Sequence, residues 1–251
     1  MKIIVQNLAT EYQDDGAGNV ILFLHGWQDN LHTFDALASL LSSAHRIIRL
    51  DLPGFGQTET PKEIWDLDDY VEFVNHFIQK LHIEVDAIVG HSFGGRIAIK
   101  GQATKKLRPR KIILICSAGV AERRTFRNAA LKILAKAAGV ITYIPPFIFW
   151  REVLRKKMYE SIGSDYLNAG TLKETFLKII SEDLSSSAEK IIIPTLLIWG
   201  SNDTQTPLSE GKKLSYMIRG SELKILEKAG HFVHKEQPHV IAKLIQEFLS
   251  P

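Results

Sequence analysis

The chain has 251 residues, 45% apolar and 24% charged, the composition of an ordinary globular protein with material for one large core or a domain carrying an insertion. With 31 basic and 28 acidic residues the net charge is +3, too balanced to argue for a nucleic-acid partner. A single cysteine, Cys116, excludes an internal disulfide and fits a reducing compartment.

The opening MKIIVQNL and TEYQDD read as an antiparallel hairpin. Its apolar run, Ile3 to Val5, is followed closely by Glu11, Asp14 and Asp15, so no signal peptide is expected there. Further on, five continuous runs rich in Ile, Val and Leu follow: VILFLHG (20–26), HRIIRLDLPG (45–54), VDAIVGHS (85–92), KIILICSAG (111–119) and IPTLLIWG (193–200). Such runs suit strands buried on both faces, as in a parallel sheet, and SELKILEKAGH (221–231) is read as another. Cys116 lies inside one of them and reads as a small core residue. No run approaches the ~18 apolar residues of a membrane helix, so a cytoplasmic protein without a membrane span is expected.

Helical patterns separate these runs. DLDDYVEFVNHFIQKLHI sets Tyr70, Val71, Val74, Phe77, Ile78 and Leu81 on one face behind a first turn of acids. FGGRIAIKGQATKK follows Ser92, LSEGKKLSYMI precedes the last strand, and HVIAKLIQEFLS closes the chain behind Pro238. Strands alternating with helices predict an α/β fold with a doubly wound, mostly parallel sheet, its core formed by residues 1–120 and 190–251. Residues 121–189 break the rhythm with helical pattern, aromatic residues and the pair Pro145-Pro146, and read as a helical insertion. From Ala121 to Ala188 there are 11 Lys and Arg against 7 Asp and Glu, so the positive excess of the chain lies here.

The stretch GHSFGG (90–95) sits where a buried strand runs directly into a helix. A turn that sharp strains its central residue and leaves room only for small side chains two positions away, and Gly90 and Gly94 occupy both. This is the G-x-S-x-G nucleophile elbow, so Ser92 is the candidate nucleophile. A serine needs a base, and that base needs a group to orient it. Of nine histidines, His231 in EKAGHFVHKEQP follows the last strand behind a tight Ala-Gly exit and is preferred over its rival His234. His91 adjoins the nucleophile and is expected to point elsewhere. Asp203, just past the strand in IPTLLIWGSNDTQTP, is the candidate orienting acid, its alternative role being an N-terminal cap for the next helix. For an oxyanion hole, the Phe93 amide starts the helix after the nucleophile and the Trp27 amide follows Gly26 at the end of the first core strand, with His25 bracing that loop. No clustered His, Cys and carboxylate ligand set is legible, so neither metal nor cofactor is expected.

In HGW, DLPGFGQTETP, VGHSFGG, WGSND and GHFVHKEQP, taken in this order and spacing, the chain resembles the α/β-hydrolase superfamily. The resemblance implies that the helical segment is a cap inserted after the sixth core strand. Haloalkane dehalogenases and epoxide hydrolases of that superfamily carry an aspartate at the elbow, so Ser92 argues against both. The remaining relatives include carboxylesterases, lactonases, thioesterases, meta-cleavage-product C–C hydrolases and cofactor-free perhydrolases; SFGG is shared among several of these and does not choose among them. The insertion shows no acidic signature of the kind a proline iminopeptidase would use for an α-amino group. The preferred reading is a serine hydrolase of small carboxylic esters, with Phe147 and Trp150 of the insertion lining the acyl pocket. The alternative, C–C hydrolysis of a dienoate, requires a cation for the substrate carboxylate, for which Arg124, Arg127, Arg151 and Arg155 are available. A third class, a non-catalytic ligand receptor on the same fold, is disfavoured by the complete set of candidate groups.

Overall fold

The Ile-, Val- and Leu-rich runs assemble into one eight-stranded sheet in the computed structural model, which describes residues 1–120 and 170–250. The strands are β1 (Lys2–Val5), β2 (Leu8–Asp15), β3 (Val20–Leu24), β4 (Arg46–Leu50), β5 (Val85–His91), β6 (Lys111–Ile115), β7 (Thr195–Gly200) and β8 (Glu222–Leu226), in spatial order β1-β2-β4-β3-β5-β6-β7-β8. The opening hairpin is antiparallel and joins β4 antiparallel, and every other pairing is parallel. All five residues of β3 and all six of β7 are buried, as two-sided burial demands. β8 departs from the expected pattern. It is the edge strand, with Glu222 and Lys224 alternating along a mostly exposed surface, charges that discourage pairing with another chain.

Helices cover the sheet in two groups. α1 (Asp35–Leu41), entered through a 3₁₀ turn at Leu31–Phe34, packs on the C-terminal α8 (Pro238–Leu249). In the other group α2 (Leu67–Lys80) packs on α3 (Phe93–Ala103), which also meets the short α5 (Ser185–Ala188), and α5 meets α6 (Leu208–Met217). α4 (Lys173–Ser181) and α7 (Val233–Glu236) complete the described set. α2 begins in a reciprocal capping box between Asp66 and Asp69, which satisfies two of its free N-terminal donors. Its buried stripe is centred one residue off the expected one: Leu67 and Phe73 are buried, while Ile78 and Leu81 are only half-buried. The turn at Leu31–Phe34, α1 and α7 have no counterpart in the sequence reading; each is short, and too few turns repeat for periodicity to register.

The described end of the expected insertion is helical: a 3₁₀ turn (Gly170–Leu172), then α4 and α5. Phe147, Trp150, Arg124, Arg127, Arg151 and Arg155 lie outside the described residues. Among the described residues no helix is long and apolar enough to cross a membrane.

Candidate active site

β5 delivers the chain straight into α3 through Ser92, whose φ of +48° lies in the left-handed region that a serine rarely occupies. The neighbouring glycines are demanded by space. A Cβ on Gly90 would stand 2.6 Å from the Gly94 backbone, and one on Gly94 would stand 2.0 Å from the Leu24 carbonyl oxygen. Gly95 is equally constrained, 2.1 Å from the Ser117 hydroxyl oxygen, because α3 packs directly on the chain leaving β6. Phe93 opens α3, so its N–H is one of the four that a helix leaves without an internal acceptor.

The loop after β3 is fastened to this elbow. The Gly94 N–H donates to the His25 carbonyl at 3.0 Å, and a Cβ on Gly26 would meet His91 Nδ1 at 2.9 Å. The His25 ring bonds the Gly26 carbonyl through Nδ1 (2.7 Å) and accepts the Leu52 N–H at Nε2 (2.9 Å), so it braces the loop from inside. Burial holds its pKa below the ordinary value, which keeps Nε2 free to accept. Asp51 closes the same region by accepting the N–H groups of Leu31 and Gln57, each at 2.7 Å. Trp27 therefore leaves a loop pinned on three sides, its ring packed against Phe55, Phe93 and Phe176.

At the carboxyl ends of β7 and β8 the structure brings Asp203 and His231 together: His231 Nδ1 donates to Asp203 Oδ2 at 2.8 Å, both groups being buried. Asp203 does not cap α6. Its other oxygen accepts the N–H groups of Gln205 and Thr206 in a local turn, and α6 starts behind Pro207. Burial opposes the charge on Asp203, but the bonds from His231 and Thr206 outweigh it and hold the carboxyl below its ordinary value. Ser92 is coupled to this pair through its neighbour, because His91 Nε2 donates to the His231 carbonyl at 3.1 Å. Ser92 itself lies in a cavity of about 170 Å³ lined also by Trp27, Phe93, Arg96, Phe176 and Ile180. A larger cavity of about 470 Å³ opens beside Val85 and Arg110, at the opposite ends of the strands from Ser92. Open α/β sheets bind ligands at the carboxyl ends, which favours the smaller one.

Residues 21–244 match the model of the alpha/beta hydrolase family. The chain belongs to that family. It is 26% identical over 258 residues to the uncharacterized hydrolase YugF of Bacillus subtilis, covering 97% of this chain and 94% of that one. Among solved structures it is similar to the meta-cleavage product hydrolase CumD of Pseudomonas fluorescens IP01, with a TM-score of 0.76, 22% identity and coverage of 99% and 96%. The esterase EaEST of Exiguobacterium antarcticum gives a TM-score of 0.75 at 22% identity, with coverage of 99% and 98%. At these identities the structural likeness establishes the fold.

This alpha/beta hydrolase places four more side chains at the site: Thr206 and Arg96, which the sequence did not single out, and His91 and His234, which it set aside. Thr206 bonds Asp203 Oδ2 (2.8 Å), the Cys116 carbonyl (3.1 Å) and His231 Nδ1 (3.2 Å), so it fastens the acid to the end of β6. The sequence signal was faint: one threonine three residues after Asp203. His91 and His234 are both buried behind His231, their rings 4.4 Å apart. His234 Nε2 meets the Thr33 hydroxyl at 2.9 Å, and Thr33 also bonds Asp29. Burial lowers the pKa of both histidines, that of His234 to about 3, and each leaves a buried Nδ1 without a partner among the described residues. Arg96 is the fourth, one turn beyond Ser92 on α3. Among the described residues the fold also gathers two sets of groups able to hold a metal ion, correcting the expectation that none is clustered: Asp29, His91 and His234, and Cys116, Asp203 and His231, with the ligand atoms of each set within 4.8 Å of one another. Their sequence separations hide both from a spacing argument.

Proposed function

We propose that this alpha/beta hydrolase cleaves small carboxylic esters through an acyl-enzyme, with Ser92, His231 and Asp203 as its triad. The observation that carries the reading is the left-handed Ser92 on a cavity wall, tied through His91 to a His231 already bonded to Asp203. Ser92 Oγ attacks the acyl carbon while its proton passes to His231 Nε2, the nitrogen that the Asp203 bond leaves free. Asp203 stabilises the imidazolium and fixes its tautomer. The N–H groups of Phe93 and Trp27 hold the oxyanion, each worth ~3 kcal/mol in reactions of this kind. His231 returns the proton to the departing alcohol oxygen; water then attacks the acyl carbon with His231 as base, and Ser92 recovers its proton as the acid leaves. The insertion acts as a cap, and its described helix α4 supplies Phe176, Ile179 and Ile180 to the acyl cavity. Each methylene of substrate buried there contributes ~0.8 kcal/mol, enough to favour short-to-medium acyl chains over acetyl.

Turnover of 4-nitrophenyl esters, with and without Ser92→Ala, tests the reading. Loss of several orders of magnitude in the variant is expected, together with labelling of Ser92 by a fluorophosphonate. Full activity in the variant, or labelling at another serine, would overturn it.

A further inference from the structure

The loops that enter β5, β6, β7 and β8 lie side by side, because these four strands are neighbours in the sheet. At ~4.8 Å per strand they form one edge about 15 Å wide. That edge is basic. Residues 81–84, 104–110, 189–194 and 218–221 hold Lys105, Lys106, Arg108, Arg110, Lys190 and Arg219 against only Glu84 and Glu189. Lys106 is bonded to Glu72 at 2.6 Å, and Arg110 stands 3.9 Å from Asp86. Lys105, Arg108, Lys190 and Arg219 are exposed and have no carboxylate partner among the described residues; Arg108 Nε donates to the Lys105 carbonyl at 3.0 Å. The helices α2, α3 and α6 end at this edge, and roughly half a negative charge at each helix end offsets only part of the excess.

The opposite ends of the strands carry the other sign. Among the described residues, the loops leaving β3, β4, β7 and β8 (25–30, 51–66, 201–207 and 227–232) hold seven acidic residues and two basic ones. This part of the protein is therefore polarised along its strands. A negatively charged plane attracts the basic edge and repels the end that carries Ser92.

Two further features mark the basic edge. Ile192, in the loop entering β7, is 87% exposed two residues after Lys190, and Tyr216, at the end of α6, is 90% exposed three residues before Arg219. The recess of about 470 Å³ opens beside the end of α2, lined by Lys105, Arg108 and Arg110 over Ile78, Ile83 and Val85, with Glu84 the one carboxylate in its wall. Large apolar side chains standing clear among cations suit a lipid interface, where the apolar group enters the headgroup layer and the cations meet phosphates and carboxylates. A nucleic acid calls for a larger excess of charge and for aromatic platforms within the basic loops, which hold none.

We infer that the amino-terminal edge of the sheet is a docking surface for an anionic phospholipid bilayer, with Lys105, Arg108, Lys190 and Arg219 against the headgroups and Ile192 inserted among them. The contact is peripheral and salt-sensitive, and it leaves the Ser92 end of the molecule facing away from the lipid.

Flotation of the full-length protein with vesicles tests this, using phosphatidylcholine alone against phosphatidylcholine with about one-third phosphatidylserine, at about 50 mM and about 500 mM salt. The wild type should partition onto the serine-lipid vesicles about tenfold or more better than onto the neutral ones, and high salt should remove the difference. Each of Lys105→Gln, Arg108→Gln, Lys190→Gln and Arg219→Gln should weaken binding about fivefold, and the four together should bring both vesicle types to the same level. Ile192→Ser should weaken it by a similar factor. Lys62→Gln with Lys228→Gln, which removes positive charge from the opposite end, should leave it unchanged. Melting temperature and turnover of 4-nitrophenyl butanoate in free solution check that each variant is folded. Equal flotation on both vesicle types in the wild type, or undiminished flotation of the folded fourfold variant, would overturn the inference. Binding to polyuridylate at low salt without flotation on either vesicle would give the edge to a nucleic acid and overturn it as well.

Discussion

Acid should unfold this protein through the two histidines buried behind His231. His234 is 1% exposed and its pKa is about 3, because burial, then Lys235 and His231, disfavour its charged form. In the unfolded chain the same ring titrates near the ordinary value of ~6.5. Between those values the unfolded state binds a proton that the folded state refuses, so stability falls as pH drops below ~6.5 and stops falling near the folded pKa. At pH 5 the unfolded ring is ~30-fold more protonated than not, which costs the folded state about 2 kcal/mol relative to neutral pH. His91 is shifted in the same direction by burial and by its histidine neighbours, and His25 by burial, so both add to the loss. Asp203 does not act in this window, since its lowered pKa brings its contribution out only in stronger acid. The assay is urea unfolding at pH 7.5 and pH 5 for the wild type and His234→Gln. The variant should be weaker at pH 7.5, having lost ring contacts with Phe34 and His91, yet should lose about 2 kcal/mol less than the wild type on acidification. Parallel losses in the two proteins would refute the reasoning.

Gly94→Ala should cost about 3 kcal/mol or more, since its Cβ would sit 2.0 Å from the Leu24 backbone oxygen in a sheet that cannot yield. Gly220→Ala, with nothing within 4 Å and only its positive φ to resist, should cost about 1 kcal/mol, and thermal melts of the pair check the contrast. Thr206→Val should lower kcat on 4-nitrophenyl esters roughly tenfold by removing the hydroxyl that holds Asp203, while Thr206→Ser should restore most of it. Equal kcat in the Val and Ser variants would reduce Thr206 to packing.

What the sequence determined by itself lies mostly within single elements. Two-sided burial writes itself as unbroken apolar runs, so β3, β5, β6 and β7 were legible, and the helices α2, α3, α6 and α8 between them followed from period and caps. The elbow was legible for the same local reason: strand, Gly90, Ser92, Gly94 and helix are contiguous, and the steric demand on each glycine acts through neighbours a few residues away. Asp203 and His231 could be named because each sits just past a strand end, although only the fold shows that they bond. The side chains around them were decided by tertiary structure. His91 reaches the His231 carbonyl across 140 positions, His234 reaches Thr33 across 201, and Arg96 reaches Ile179 across 83. Within its own element Arg96 is simply a polar residue in a helix, and His234 one of several polar residues near the end of the chain. Periodicity encodes which face of an element is buried and says nothing about which distant element buries it. A buried neutral histidine arises only when parallel strands bring their carboxyl ends to one edge of the sheet.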